Sequence, residues 1–344
     1  MHKRSILELA PGELEGVLSG WQKQGFHARQ ILSWIYKKGI RDFDSMSDLP
    51  LELRKRLNNN FYIFGLNLVK SLRSGDGTEK LLFELPDKNL IEAVIIPTEK
   101  RITGCLSTQA GCKFSCRFCA SGLAGFKRNL TTGEMTEEIL HLKNNAADKK
   151  LTHLVFMGIG EPLDNYDNLL KTIRIINSSQ TLGIGARRIT ISTCGLVPQI
   201  NRLAEEGLQI ELSVSLHTPD DKIRTQLMPI NRKYPIRELI KASAEYIKKT
   251  NRQITFEYIL IKDLNSDLQN AKKLSTILQG LNCKVNLIPC NTQEGQDIGP
   301  PKKSEILLFR DSLLRSGINV TLRRPRGEDI DAACGQLRLR YGKK

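Results

Sequence analysis

From about residue 100 onward, strand-like apolar runs alternate with amphipathic helical ones, a pattern that commits most of the chain to a parallel α/β architecture. The strand-like runs are ITGCLS, THLVFM, RITIST, QIELSVSL, ITFEYIL and KVNLIP, with NVTLRR at the margin of the set. Helical stretches separate them, among them Glu134 to Asn145, Asn165 to Ile176, Ile236 to Lys249 and Ser304 to Arg315. Roughly 230 residues carry the alternation, fewer than the roughly 250 of a closed eightfold barrel. A partial (β/α)6 TIM-like barrel is therefore predicted.

Ahead of that array the pattern is different. From Leu14 to about Asn60 apolar residues recur at helical spacing (Leu14, Val17, Leu18, Trp21; then Ile31, Leu32, Ile35), which predicts a small helical domain over 1–61. Residues 62–97 carry the β-type runs LNLVKSL, KLLFEL and LIEAVIIP, punctuated by the turn signals SGDG and PDKN, and predict a short antiparallel sheet linking two domains. The barrel core then spans 98–329, and 330–344 form a C-terminal segment ending in the basic stretch LRLRYGKK. No repeat at a fixed period of 20 to 50 residues is present.

Charge and cysteine content narrow the setting. Lys and Arg number 52 against 37 Asp and Glu, a formal charge of +15, which favours a polyanionic partner such as nucleic acid. No long apolar run suits a membrane span and the N-terminus lacks a secretory pattern, so the expected location is the cytoplasm, with no membrane partner. In that reducing compartment the 8 cysteines do not suggest a disulfide framework. Cys105, Cys112, Cys116 and Cys119 crowd together instead, the mark of a metal or redox site.

The strongest local signal is GCKFSCRFC, with Cys112, Cys116 and Cys119 spaced C-x3-C-x2-C after the first barrel strand. Three thiolates on one tight loop can hold three corners of an iron–sulfur cube, leaving the fourth iron open to a small molecule. Structural zinc is the competing reading, but zinc wants four closed ligands, and Cys105 is the one nearby candidate for the fourth.

This spacing, with Phe118 before the last cysteine, resembles the radical S-adenosylmethionine (SAM) superfamily. MGIGEP, STCG and SLH follow successive strands and IPCN a later one, at the strand ends where barrel enzymes place their ligands. RGEDIDAACGQL extends the resemblance to the RNA adenine methyltransferases of that superfamily, over nearly the whole chain. The resemblance implies a [4Fe-4S] cluster on Cys112, Cys116 and Cys119, and SAM, two molecules per turnover, bound by Gly160, Glu161, Ser192, Ser215, Leu216, His217 and Asn291. It makes Cys334 the methyl-carrying cysteine, Cys105 its partner in a transient disulfide, and Glu92 the proton acceptor, with Cys105 the alternative acceptor. Cys194 and Cys290 stand where a well-known member has serine and tryptophan; with Cys283 they are read as structural.

The implied reaction suits the base. Carbon 2 of adenine lies between two ring nitrogens and is electron-poor, so it does not attack the electrophilic methyl of SAM. The methyl passes first to Cys334, a 5′-deoxyadenosyl radical activates it, and the methylene radical adds to the ring carbon. Cys105 then releases the product by attack on the Cys334 sulfur. The implied partners are 23S rRNA and tRNA plus an electron donor such as flavodoxin or ferredoxin, and a monomer is expected. Methylation at carbon 8, a non-catalytic RNA-binding protein stapled by zinc, and a radical SAM enzyme acting on a peptide or small molecule are the rival readings. RGEDIDAACGQL favours carbon 2 over carbon 8, and Cys334, Cys105 and the positive charge are left without a role by the last reading.

Overall fold

The computed structural model describes residues 3–123, 125–146, 150–290, 299–323 and 326–330. Ten strands form one sheet: β1 (Asn67–Arg73), β2 (Glu79–Glu84), β3 (Leu90–Pro97), β4 (Ile102–Cys105), β5 (Leu151–Phe156), β6 (Ile189–Thr193), β7 (Glu211–Ser215), β8 (Ile254–Leu260), β9 (Cys283–Pro289) and β10 (Asn319–Leu322). They lie side by side in chain order, without the reversal that marks a doubly wound sheet. From β4 to β10 every pairing is parallel, so the array is wound one way, as in a barrel that stays open.

Two features extend the sequence reading. NVTLRR joins the parallel array, since β10 pairs with β9 from Lys284↔Asn319 to Leu287↔Leu322. The antiparallel strands β1 to β3 form no separate linker sheet: β3 pairs with β4, Val94 opposite Cys105, and continues the barrel sheet. Pairing between distant segments is not encoded in local periodicity, so the turn signals revealed the hairpins and not where they dock.

The strands alternate apolar and polar residues, which is unusual for parallel strands covered on both faces. Ile189, Ile191, Leu212, Val214, Ile254, Phe256, Val285 and Leu287 enter one core with the crossover helices. The intervening Thr190, Ser192, Ser213, Ser215, Glu257 and Asn286 line the opposite, concave face. There Asn286 donates to Glu257 at 2.8 Å and Thr321 donates to Asn286 at 2.8 Å. A polar inner face is what a ligand-holding lumen needs.

The N-terminal region carries α1 (Pro11–Gly20), α2 (Phe26–Leu32), a π turn over Ser33–Lys37 and α3 (Leu51–Asn60). A short parallel pair, Arg4–Ser5 with Phe61–Tyr62, closes it, an element that two-residue strands do not announce in sequence. Its core of Leu14, Leu18, Ile31, Ile35, Leu53 and Leu57 is completed by Leu140 of α4 (Thr132–Asn145) and Ile175 of α5 (Tyr166–Asn177). Thr131 caps α4, its hydroxyl accepting from Glu134 N at 3.2 Å while the Glu134 carboxylate accepts from Thr131 N at 2.9 Å. Further along α4, Glu137 accepts from Gly65 N and Leu66 N at 2.8 and 2.6 Å, which fastens the start of the hairpin region to the barrel.

Candidate active site

Beyond Cys105 the chain runs along the top of the sheet into the cysteine loop. Gln109–Ala110 pair antiparallel with Arg128–Asn129, so the loop closes on its own base. Cys112 N donates to Gly125 O at 3.2 Å and Cys119 N to Cys116 O at 3.0 Å. Gly111 has φ +81°, and any Cβ there would overlap the Gly125 carbonyl, so the crossing admits only glycine. Ser115 is also left-handed at φ +50°, a strain stored at the loop's apex.

Burial pushes the Cys112 thiol up to about 12 and raises Cys116 as well, and the neighbouring cysteines add to both. Such thiols ionise when a cation replaces their protons. Among the described residues no three His, Cys, Asp or Glu side chains converge closely enough for a single ion. Three thiols on one loop suit a cluster in which each sulfur takes a different iron. Cys194 and Cys290 pack with Leu227, Met228 and Ile261 into an apolar cluster behind the loop, against Phe114, Cys116 and Phe118.

The GIGEP turn after β5 is sewn to the segment leading into that loop. Gly158 N donates to Leu106 O at 2.8 Å, and Ile159 O accepts from Thr108 N and Gln109 N at 2.9 and 3.1 Å. A Cβ on Gly158 would lie 2.6 Å from the Leu106 carbonyl, and one on Gly160, at φ +109°, 2.6 Å from Gln109 Cβ. The close approach these glycines permit is to the chain's own backbone and side chains, so their need is met before any ligand arrives. The Glu161 carboxylate accepts from Cys194 N at 2.7 Å and Leu163 N at 3.1 Å, tying the ends of β5 and β6 together. Burial raises its pKa, and these hydrogen bonds oppose the rise.

Ser192 stands directly beside Ser213 on the neighbouring strand, on the concave face, and Ser215 follows at the end of β7. Leu216 and His217 both donate their N–H to Glu257 O, at 3.1 and 3.2 Å. His217 is buried with φ +63°, and its Nδ1 accepts from Ile259 N at 3.1 Å, which leaves the ring proton on Nε2. Burial, helped by the Arg224 charge, lowers its pKa to about 3. Its ring meets Phe118 edge to face at 4.7 Å between centroids. The SLH strand end and the cysteine loop are thereby brought together.

Glu92 and Cys105 lie on adjacent strands and on the same face, because Val94, two residues from Glu92, is opposite Cys105. Lys80 reaches Glu92 at 3.5 Å in a buried ion pair. Ser107 joins this corner to the GIGEP turn, donating to Glu92 O at 2.7 Å and accepting from Ile159 N at 3.0 Å. Asn291 and Cys334 lie outside the described residues. The RGED segment that leads toward Cys334 is anchored to the SGDG turn: Ser74 Oγ and Gly75 N donate to Asp329 at 2.5 and 3.2 Å, and Gly327 N donates to Asp76 at 3.1 Å.

Sequence reasoning passed over Gln109, Ser107 and Arg224. Gln109 accepts from Glu161 N at 2.8 Å and donates to Asn129 and Asp164, each at 2.8 Å. Nothing in STQAG or DKIRTQL sets these residues apart from solvated polar side chains; only their burial does.

Arg4, Lys38, Arg41 and Arg56 are exposed on the N-terminal helical region, each lying over an aromatic ring, with Lys38 3.2 Å from the Trp34 centroid and Arg56 4.6 Å from that of Trp21. Among the described residues no helix is long and apolar enough to cross a membrane.

A three-thiol loop at the head of a singly wound parallel array, with glycine and serine turns at the next strand ends, defines a radical SAM protein; the family model of the radical SAM superfamily matches residues 106–274. Residues 5–63 match a second model, that of the ribosomal RNA large subunit methyltransferase N-terminal domain. The chain is 46% identical over 339 residues to a probable dual-specificity RNA methyltransferase RlmN of Carboxydothermus hydrogenoformans, covering 98% of this chain and 99% of that one. To its counterpart in Clostridium novyi it is 44% identical over 339 residues, covering 98% of each. A crystal structure of a radical SAM methyltransferase from Sphaerobacter thermophilus superposes with a TM-score of 0.94 at 42% identity, over 97% of this chain and 98% of that one. The chain belongs to the RlmN family of radical SAM RNA methyltransferases. Membership implies a [4Fe-4S] cluster and SAM as cofactors and RNA as the substrate class.

Proposed function

We propose that this chain methylates carbon 2 of an adenine in 23S rRNA and in tRNA, in the cytoplasm and as a monomer fed electrons by a small acidic donor such as flavodoxin or ferredoxin. The observation that carries the reading is full-length kinship with RlmN-type methyltransferases. The meeting of the cysteine loop, the GIGEP turn and the SLH strand end at one mouth of the array supports it.

In this reading Cys112, Cys116 and Cys119 hold the cluster, and Gly160, Glu161, Ser192, Ser215, Leu216, His217 and Asn291 form the SAM pocket. Bound there, cluster and SAM supply a methyl cation equivalent for displacement and a one-electron cleavage that yields a hydrogen-abstracting radical, with two SAM consumed per turnover. The chain's own contribution begins with Cys334, whose thiolate takes the methyl by ordinary displacement and later tethers the base through that carbon. Once the tethered base has given up its odd electron, Glu92 or Cys105 accepts the ring proton; Cys105, on the same face of the sheet, then attacks the Cys334 sulfur as a thiolate, the expelled carbon takes up a proton to become the methyl group, and a Cys105–Cys334 disulfide remains. The exposed cation–aromatic pairs of the N-terminal helices engage phosphate and offset part of the cost of exposing a stacked base, about a few kcal/mol.

Mass spectrometry of nucleosides from deletion and complemented cells tests the reading. Loss of 2-methyladenosine from both 23S rRNA and tRNA, restored by the gene, is expected. Loss of 8-methyladenosine instead would move the reaction to the other carbon.

A further inference from the structure

Arg224 is a long charged side chain with no solvent exposure. It projects from α6 (Asp221–Leu227), which Asp220 caps by accepting from Lys222 N and Ile223 N at 2.9 and 3.1 Å. Its guanidinium donates to Leu216 O at 3.2 Å, Ser215 O at 3.0 Å, Cys194 O at 2.9 Å and Asn231 Oδ1 at 2.8 Å. All four acceptors are neutral; the one carboxylate among its charge interactions, the exposed Asp221, is held off by Asn231, whose amide donates to Asp221 Oδ1 at 2.9 Å while its Oδ1 accepts from Arg224 at 2.8 Å. A buried cation is costly unless a buried anion answers it, and carbonyl dipoles offset only part of that cost.

The missing anion has a place. Cys194, whose carbonyl Arg224 holds, packs in the apolar cluster against Cys116. At the other end of the same helix Leu227 O accepts from Arg117 N at 3.0 Å, inside the cysteine loop. A cubane core of charge +2 on three thiolates is a net monoanion, and one-electron reduction makes it a dianion. Burial lowers the Arg224 pKa only to about 10, and its interactions with Cys194, Cys116 and Asp221 oppose the fall, so it remains a cation at neutral pH.

We propose that Arg224 is the buried counter-charge of the iron–sulfur cluster: a positioning residue that orders the Cys194, Ser215 and Leu216 carbonyls beside the SAM pocket and favours the reduced cluster. The inference rests on the cluster assignment to Cys112, Cys116 and Cys119. A fixed positive charge in a low-dielectric wall stabilises the dianion more than the monoanion, so it eases electron entry from the donor. Hydrogen bonding to carbonyls alone would shape the pocket without moving the reduction equilibrium.

The test is a redox titration, followed by electron paramagnetic resonance, of anaerobically reconstituted full-length protein, with iron content measured beside it. Arg224→Gln keeps two donors and loses the charge; Arg224→Lys keeps the charge and loses the fork. Asn231→Asp, made together with Asp221→Asn because Asn231 Nδ2 donates to Asp221 Oδ1 at 2.9 Å, leaves Arg224 in place and sets a carboxylate 2.8 Å from it. With full iron content, Gln and Asp should each weaken reduction about tenfold, a shift of about 59 mV to more negative potential for a one-electron couple. Lys should keep most of the parental value. An unmoved potential in Asn231→Asp and Arg224→Gln, or an equal shift in Lys and Gln, overturns the proposal, and the Asp and Lys variants decide it if Gln does not fold. Absence of a cluster signal from the parental protein would overturn the cluster assignment as well; a parental signal that the variants leave in place overturns this inference alone.

Discussion

The cysteine loop and the RGED segment that leads toward Cys334 belong to the same proposed reaction, yet they are held by different physics. The loop is sewn down by buried backbone bonds, from Leu106 and Ile159 to the turn residues, with glycines where no Cβ fits. The RGED segment is held near the surface by two reciprocal aspartates, Asp329 on the Ser74–Gly75 turn and Asp76 on Gly327 N, with Arg326 3.8 Å from Asp76. Buried backbone networks set a geometry once, whereas exposed charge-assisted bonds can be broken and remade. The proposed chemistry asks for both: a fixed cluster, and a cysteine that meets SAM, base and Cys105 in turn.

The largest effect should fall on the fixed side. Cys116→Ala should remove the cluster and all methylation, read as loss of the brown colour and of about four irons per chain. Retained iron and activity would break the comparison at its root, because the loop would then be no cluster cradle.

Next in size, Cys105→Ala should stall the reaction after attack on the base. RNA and protein should accumulate as an adduct that survives denaturation and maps to Cys334 by mass spectrometry, and Cys334→Ala should form none. Normal turnover by Cys105→Ala, or an adduct elsewhere, would refute the two-cysteine scheme.

A smaller, graded effect is expected from the dissociable side. Asp329→Asn keeps the shape and weakens the grip on Ser74 Oγ and Gly75 N. Methylation of Cys334 should slow severalfold while iron content and the cluster spectrum stay as in the parent. A parallel loss of iron would show that the RGED anchor and the loop are one cooperative unit.

Much of this was legible before any coordinates. Alternation revealed the parallel strands, and the motif spacing singled out the three cysteines and the strand ends. What stayed hidden shares one cause, tertiary burial. Arg224 and Gln109 read as surface residues because nothing local says that a helix will press them into the barrel wall. The SGDG turn read as punctuation, although its partner lies 255 residues away at Asp329. Nor does the motif GIGEP say that its glycines also make room for the chain's own Leu106 and Gln109.

Acidification separates the two regions by the sign and window of their proton uptake. His217, on the loop side, is held neutral with a pKa near 3 by burial, against about 6.5 in an unfolded chain. Between those values the unfolded chain binds a proton that the folded one refuses, so stability falls as pH drops below about 6.5. The aspartates of the other side move the opposite way. Hydrogen bonds from Thr78 hold Asp76 down to about 2, and Ser74 lowers Asp329, so their contribution is complete above the usual carboxylate range and is lost only as pH falls toward about 2. From pH 6.5 to 5 the RGED anchor should therefore be indifferent while the loop side weakens by about 1–2 kcal/mol. His217→Asn offers Ile259 N the same kind of acceptor without a titrating ring, and its denaturant stability should be flatter than the parent's across that window. Parallel slopes for parent and variant would mean that His217 takes up its proton while folded, and that the strand end it terminates is looser than the loop it touches.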